Sequence, residues 1–171
     1  MHFPSSKYLL LCLIACSVPL VAACKDSLPA SFSAKHSPHI TLDRSAVLLG
    51  VDANHDGIRD DIERYIAALP ETPAQKLALR QVAKAINVAM ALGNELDSRA
   101  DGRLRSATQT IARAVGCLWQ RYDGGAAANN HLTLVRKITT NTSARNAAYL
   151  RYNSFVGSYA LSGMAGDRCD Q

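Results

Sequence analysis

Oxygen-bearing side chains are concentrated in residues 51–66, which read VDANHDGIRDDIERYI. Asp52, Asn54 and Asp56 alternate along the chain, so their side chains can converge on one centre from a single loop. Gly57 follows at the point where such a loop must turn sharply and a side chain would obstruct it. The spacing predicts a cage of oxygen atoms that binds positive charge.

The second half of this stretch supplies further oxygen atoms. The carbonyl group of Ile58 can point back into the same centre, and Asp60 can reach it directly or through a water molecule. Glu63 lies on the first turn of the following helix and can offer both carboxylate oxygens. About six or seven oxygen ligands from a flexible loop suit Ca²⁺ better than zinc or copper, and Mg²⁺ would demand tighter octahedral geometry. We therefore expect a calcium site.

The loop resembles the calcium loop of EF-hand proteins and, more closely, the DxNxDGxxDxxE form of dockerin-like and thrombospondin type 3 repeats. The resemblance covers residues 52–63 only, so it implies a site rather than a whole fold. The ligands that it implies, with Ile58 acting through its carbonyl group, are Asp52, Asn54, Asp56, Ile58, Asp60 and Glu63. The motif order also looks like that of bacterial lipoproteins with a DxNxxGIRDDxExYI segment after the signal, a resemblance that implies no activity.

One departure from the EF-hand pattern limits what this loop is expected to do. Paired EF-hands carry an aliphatic residue after the carbonyl ligand to form a short strand with a sister loop, whereas this chain has Arg59. A single loop favours a structural calcium ion over a calcium-triggered switch. The alternative is an acidic turn before a helix, because Asp60, Asp61 and Glu63 suit a helix N-terminus. That alternative leaves the alternating residues and the glycine after them, Gly57, unexplained.

Beyond the loop, apolar residues recur at intervals of three and four, and no segment alternates convincingly as a strand. The pattern predicts an all-α fold, a small bundle of about four helices with the calcium loop at the start of the first. That helix closes at Leu69, which precedes a proline. Thr72 can form a capping box with Gln75 at the start of the second helix, and Gly93 or Asn94 can stop it. The predicted inward face of the second helix is Leu79, Val82, Ala83, Ile86 and Met90.

The second half of the domain is harder to divide. A third helix is predicted from about residue 102 to residue 122, ended by the glycines at 124 and 125. The following AAANNH is predicted as a loop, with His131 as a lone loop histidine, and residues 131–139 are ambiguous. A last helix begins near residue 142 or 143 and carries an aromatic stripe, for which core packing is favoured over a ligand-binding surface.

The amino-terminal residues 1–23 are predicted as an export signal. Lys7 supplies a positive leading region, and Tyr8–Ala23 form an apolar run of 16 residues. That run is short for a membrane span, which needs about 20 apolar residues. The run ends in VAAC, which resembles the bacterial lipobox and predicts lipidation of Cys24. Cys16 fits the same pattern as a competitor, and an ordinary secretory signal without lipid is a further alternative.

The number of cysteines bears on both the lipid anchor and the fold. Cleavage before Cys24 leaves Cys117 and Cys169 as an even pair, which suits a disulfide in an oxidising compartment. A loop of about fifty residues closed in this way stabilises a fold by roughly 4 kcal/mol in the chain-entropy model. A reactive thiol is the alternative. Residues 24–41 are rich in serine and proline and are predicted as a lipidated flexible tether, which leaves residues 42–171 as the helical domain.

The net charge and the predicted export limit which partners the protein is expected to bind. The chain holds 19 Lys+Arg against 14 Asp+Glu, and residues 64–171 hold 14 against 7. Most of these cations are expected on solvated helix faces, but beside a bilayer they would attract anionic head groups or envelope glycans. Export argues against nucleic acid as a partner, and the sequence names no protein partner.

Two function hypotheses follow from these observations. The first is a calcium-binding, lipid-anchored protein of the bacterial envelope that acts as a non-enzymatic binding or structural module. We expect it to face the periplasm, from the outer membrane in preference to the inner. The second is an envelope hydrolase or other enzyme in which calcium is a structural ion. It would need a convergent polar cluster in a cleft, which the sequence does not reveal.

Overall fold

Local sequence decides where the helices begin and end. The computed structural model describes residues 38–97, 102–122, 125–156 and 168–170. Within those ranges the chain forms five helices and no strand, which confirms the all-α bundle. The helices are α1 (Asp60–Ala68), α2 (Pro73–Glu95), α3 (Gly102–Arg121), α4 (Gly125–Thr139) and α5 (Ser143–Val156). None of the helices in these ranges combines the length and the apolar composition that a bilayer span needs.

Helix α2 is the centre of the bundle and packs against each of the other four helices. It begins with the predicted capping box, because Thr72 Oγ1 accepts a hydrogen bond from the Gln75 amide at 3.3 Å and the Thr72 amide donates to Gln75 Oε1 at 3.0 Å. All five residues predicted for its inward face are buried. Periodicity and capping chemistry were therefore sufficient to predict the start and the inward face of this helix.

The prediction that Gly93 or Asn94 stops α2 was wrong, because the helix continues to Glu95. Gly93 is buried where α2 crosses α5, and a Cβ atom at this position would overlap the carbonyl oxygen of Ala148. The glycine permits two helix backbones to approach closely. It has a packing reason rather than a chain-terminating one.

The prediction of a loop after the third helix was also wrong, since AAANNH lies within α4. Alanine has the highest helix propensity of any residue, which favours this start. Ala128, His131, Val135 and Ile138 are buried at intervals of three and four residues, so the segment has one inward face. The described ranges consequently hold five helices where about four were expected.

A disulfide bond between Cys117 and Cys169 joins the carboxy-terminal tail to α3, as predicted, with the two Cα atoms 4.8 Å apart. Gln81 of α2 holds the same tail through its amide group. Its Nε2 donates to the Arg168 carbonyl oxygen at 2.9 Å, and its Oε1 accepts from the Asp170 amide at 3.1 Å. The tail is therefore fastened to two helices.

Residues 34–171 form one compact unit with its own core. The proposed signal, both candidate lipidation sites (Cys16 and Cys24) and most of the proposed tether lie outside the described residues. Ile40 and Leu42, the first apolar side chains of the described part, pack against the core.

Candidate calcium centre

The first half of the loop is shaped by side chains that bond to the backbone further along. Asp52 Oδ2 accepts a hydrogen bond from the Gly57 amide at 2.8 Å. Asn54 Oδ1 accepts from the Asp56 amide at 3.1 Å, and Asp56 Oδ1 accepts from the Ile58 amide at 2.8 Å. Such bonds are the usual way in which Asp and Asn stabilise turns. The alternating side chains thus fold the loop back on itself.

Two residues of the loop take the left-handed backbone conformation. Gly57 has φ 88°, which confirms that the chain turns sharply there, and His55 has φ 59°. The His55 ring is exposed, and its Nδ1 lies 2.9 Å from the Asp52 carbonyl oxygen. The Gly57 carbonyl oxygen accepts a hydrogen bond from Asn87 Nδ2 at 2.8 Å, which fixes the turn to α2.

The second half of the loop brings the later carboxylates back toward the first half. Asp60 Oδ1 accepts a hydrogen bond from the Ala53 amide at 2.9 Å. Asn54 Nδ2 donates to Glu63 Oε2 at 3.1 Å and lies 3.3 Å from Asp56 Oδ2. Asn54, Asp56 and Glu63 are therefore in mutual contact, with an N–H donor between the two carboxylates. To bind a cation here, the amide would have to present its oxygen atom instead.

Oxygen atoms of the loop that accept no hydrogen bond indicate whether the loop can bind a hard cation. Asp52 Oδ1 is buried and has no hydrogen-bond partner among the described residues, although the other oxygen of the same carboxylate is satisfied. The carbonyl oxygen of Ile58 likewise accepts no hydrogen bond from the described residues. A buried carboxylate oxygen without a partner is costly, and oxygen is the ligand atom that Ca²⁺ takes. The residues present fit calcium.

Electrostatics in the second half of the loop also favour a cation. Burial raises the pKa of Glu63, the negative charge of Asp56 raises it further, and Arg80 acts in the opposite direction. The Arg80 guanidinium lies 3.6 Å from Glu63 Oε1 and is itself partly exposed, so it offsets the two carboxylates weakly. Across the described ranges, no three His, Cys, Asp or Glu side chains are grouped closely enough to hold a metal ion. Mutual repulsion between carboxylates favours such spacing.

Arg59, the departure from the paired EF-hand pattern, has its own role. Its side chain is buried and forms a two-bond ion pair with the buried carboxylate of Asp61. It also donates to the carbonyl oxygens of Ile138 at 3.1 Å and Thr139 at 3.2 Å. These carbonyl groups lie at the C-terminal end of α4, where backbone oxygens lack helical partners. The loop is thus anchored to α4 where a paired EF-hand would contact its sister loop.

A second buried arginine, Arg145 of α5, holds the segment that enters the loop. Its guanidinium donates to the carbonyl oxygens of Leu48 at 2.9 Å and Val47 at 3.0 Å, and also to that of Asp43. Asn141 Oδ1 accepts a further bond at 2.8 Å. Burial lowers the pKa of Arg145, and the nearby positive charge of Arg59 lowers it further, while the Asp43 carboxylate opposes both.

Sequence reasoning did not identify these two arginines as residues that position the loop. Arg145 carried a signal, because it shares a helix face with Ala148 and Tyr152 at intervals of three and four residues, and all three are buried. Arg59 carried none, since the carbonyl groups that it contacts in α4 are about 80 residues away along the chain.

The interpretation of His131 as a lone loop residue was wrong. It is buried in α4, its Nε2 lies 3.2 Å from Glu71 Oε1, and its ring centroid lies 4.7 Å from that of Tyr122. Burial lowers the pKa of His131, while the Glu71 carboxylate opposes that change. Burial and the same carboxylate raise the pKa of Tyr122. The cluster joins the α1–α2 turn to α3 and α4.

Comparison of the chain with known proteins found no match among family models, curated proteins or solved structures.

Proposed function

We propose that this chain is a calcium-binding, lipid-anchored protein of the bacterial envelope and that it acts as a non-enzymatic binding or structural module. The proposal rests first on the loop of residues 52–63. Its single strongest support is Asp52, whose Oδ1 is buried with no partner in the described part of the chain while Oδ2 closes the turn at Gly57. One oxygen shapes the loop and the other is left for a ligand.

In this proposal calcium is a structural ion, which when bound neutralises the converging carboxylates. Asp52, Asn54, Asp56, Asp60 and Glu63 would hold it through their side chains, and Ile58 through its carbonyl group. The loop is joined to α2 through Asn87 and to α4 through Arg59, so ion binding would stabilise contacts between three helices. Extracellular modules of this kind bind calcium at about 10⁻⁴ to 10⁻³ M.

The proposed location depends on the amino-terminal signal. Lipidation at Cys24 would place the helical domain beside the outer membrane, facing the periplasm. The disulfide between Cys117 and Cys169 supports an oxidising compartment, because such bonds are rare in reducing ones. Exposed cations, among them Arg64, Arg105 and Lys137, would then favour anionic head groups or envelope glycans as partners.

Calcium binding is tested by calorimetric titration of CaCl₂ into residues 34–171, with Asp52→Asn as the variant. Asp97→Asn is the matched control, because it removes the same charge from an exposed aspartate outside the loop. We expect one site in the parent chain, unchanged binding in the control and at least tenfold weaker binding in Asp52→Asn. Equal affinities in all three proteins would contradict the proposal.

The anchor is tested separately by membrane fractionation and radiolabelled palmitate incorporation of the full chain. Cys24→Ala is expected to lose both the label and membrane association, whereas Cys16→Ala keeps both. The reverse result would move the lipid to Cys16, and label in neither parent nor variant would show an ordinary secretory signal.

A further inference from the structure

An apolar cleft of about 240 Å³ lies over the central helix α2, and none of its lining residues belongs to the calcium loop. Helix α2 contributes Val82, Ala85 and Ile86 to it, and all three are buried. Ile111 and Val115 of α3 are half-buried along the same cleft. The cleft is therefore open to solvent between apolar side chains of α2 and α3, whereas such side chains pack together in the core of the bundle.

The cleft also has three polar residues. Arg136 and Thr133 from α4 and Tyr149 from α5 line it, and none of their side chains forms a hydrogen bond or ion pair with another described residue. In this they differ from Arg59 and Arg145, whose guanidinium groups are buried and fully engaged. A cation and two hydroxyl groups are thus available beside an apolar surface, and a few convergent polar groups in an apolar pocket are typical of ligand sites.

We propose that this cleft binds a small amphiphile with one alkyl chain and an anionic head group, such as a medium-chain carboxylate or an alkyl phosphate. The chain would lie along α2, and the head group would accept hydrogen bonds from Arg136, Thr133 and Tyr149. A volume of 240 Å³ is about eight times the roughly 30 Å³ that one water molecule occupies, and a methylene group is of similar size. The cleft therefore has room for about eight carbons of one chain, so a ten-carbon ligand would bury most of its chain there.

Charge complementarity decides between this ligand and other small molecules. A neutral apolar molecule would fill the cleft but would leave the guanidinium of Arg136 without a partner. A small anion without a chain would pair with Arg136 but gain nothing from the apolar surface, and an exposed ion pair alone contributes little. An amphiphilic anion uses both parts of the cleft at once.

The proposal is tested by calorimetric titration of residues 34–171 with decanoate, decyl phosphate, decanol and acetate. We expect the two decyl anions to bind with Kd on the order of 10⁻⁵ to 10⁻⁴ M, decanol at least about fivefold more weakly, and acetate not at all. The relative affinities of decanoate and decyl phosphate identify the preferred head group. The binding is expected in calcium and in chelator alike, so a failure of the calcium proposal would not affect it.

Arg136→Gln is the decisive variant, because Arg136 is exposed and its replacement does not disturb the core. It should weaken decanoate about fivefold to tenfold and leave decanol unchanged. Lys137→Gln is the matched control, since it removes the same charge one residue further along α4 without lining the cleft, and it should change decanoate binding less than twofold. Val115→Phe fills the cleft and should weaken both decanoate and decanol. No decanoate binding up to about 5 mM, equal binding of decanoate and decanol, or equal losses in the Arg136 and Lys137 variants would overturn the proposal.

Discussion

Replacement of Glu63 by glutamine should have opposite effects on stability with and without calcium. In the absence of an ion, the Glu63 carboxylate is mostly buried beside Asp56, and it is stabilised by Arg80 at 3.6 Å and by the hydrogen bond from Asn54. Glutamine removes the charge but keeps an oxygen that can accept the bond from Asn54. In chelator, therefore, Glu63→Gln should melt at the same temperature as the parent chain or a higher one.

With calcium the order should reverse. If Kd lies at about 10⁻⁴ to 10⁻³ M, then about 10 mM Ca²⁺ stabilises the parent by about 1.4 to 2.7 kcal/mol. For a domain of this size that corresponds to a rise in Tm of about 4 to 10 °C. A hundredfold loss of affinity in Glu63→Gln would leave less than about 0.5 kcal/mol of stabilisation.

The assay is thermal unfolding of residues 34–171, followed by circular dichroism in EGTA, in Ca²⁺ and in Mg²⁺ at equal concentrations. Asp97→Asn is again the control and should follow the parent in every buffer. The reasoning is refuted if calcium raises the Tm of parent and Glu63→Gln equally, or if neither responds. An equal response of the parent to Mg²⁺ would refute the choice of metal.

Three further outcomes concern the fold around the site. Arg59→Met should lower the free energy of unfolding by about 3 to 5 kcal/mol in chemical denaturation, because it leaves the buried Asp61 carboxylate unpaired; the double variant with Asp61→Leu should recover part of that loss. Gly93→Ala should lower the free energy of unfolding by about 1 to 3 kcal/mol, because the added Cβ forces α2 and α5 apart. Gly102→Ala is the control, since a Cβ there would meet nothing within 4 Å, and it should lower the free energy of unfolding by less than about 0.5 kcal/mol. Equal effects of the two variants would contradict the packing role of Gly93. Burial lowers the pKa of His131, so the unfolded chain takes up a proton at a higher pH than the folded one, and the free energy of unfolding should fall as the pH drops below about 6.5. His131→Gln should flatten that decline. An unchanged pH profile in His131→Gln would exclude this role of His131.

The parts of the fold that were predicted correctly are those decided by neighbouring residues. The capping box at Thr72 and the inward face of α2 depend on spacings of three and four residues, which the sequence displays directly. The sharp turn at Gly57 follows in the same way from the residues of the loop. The cysteine pairing was predictable because the predicted cleavage before Cys24 would leave two thiols, each with one possible partner.

The parts that were missed depend on contacts between distant segments. Nothing next to Gly93 indicates that another helix crosses there, and a glycine near a helix end ordinarily suggests a stop. The buried role of Arg59 depends on carbonyl groups of α4, and His131 meets Glu71 only once the bundle has formed. The start of α4 was missed for a different reason, since the adjacent glycines at positions 124 and 125 suggested a longer break.

The arrangement of bonds around Arg145 has a mechanical consequence. One guanidinium holds the carbonyl oxygens of Asp43, Val47 and Leu48, all in the segment that leads into the domain from its amino end. If the chain is tethered at Cys24, a pull from the membrane reaches this segment before it reaches any of the helices α1 to α5. The load would be shared among bonds that converge on a single side chain of α5, so force would pass into the body of the bundle and bypass the oxygen atoms of the loop.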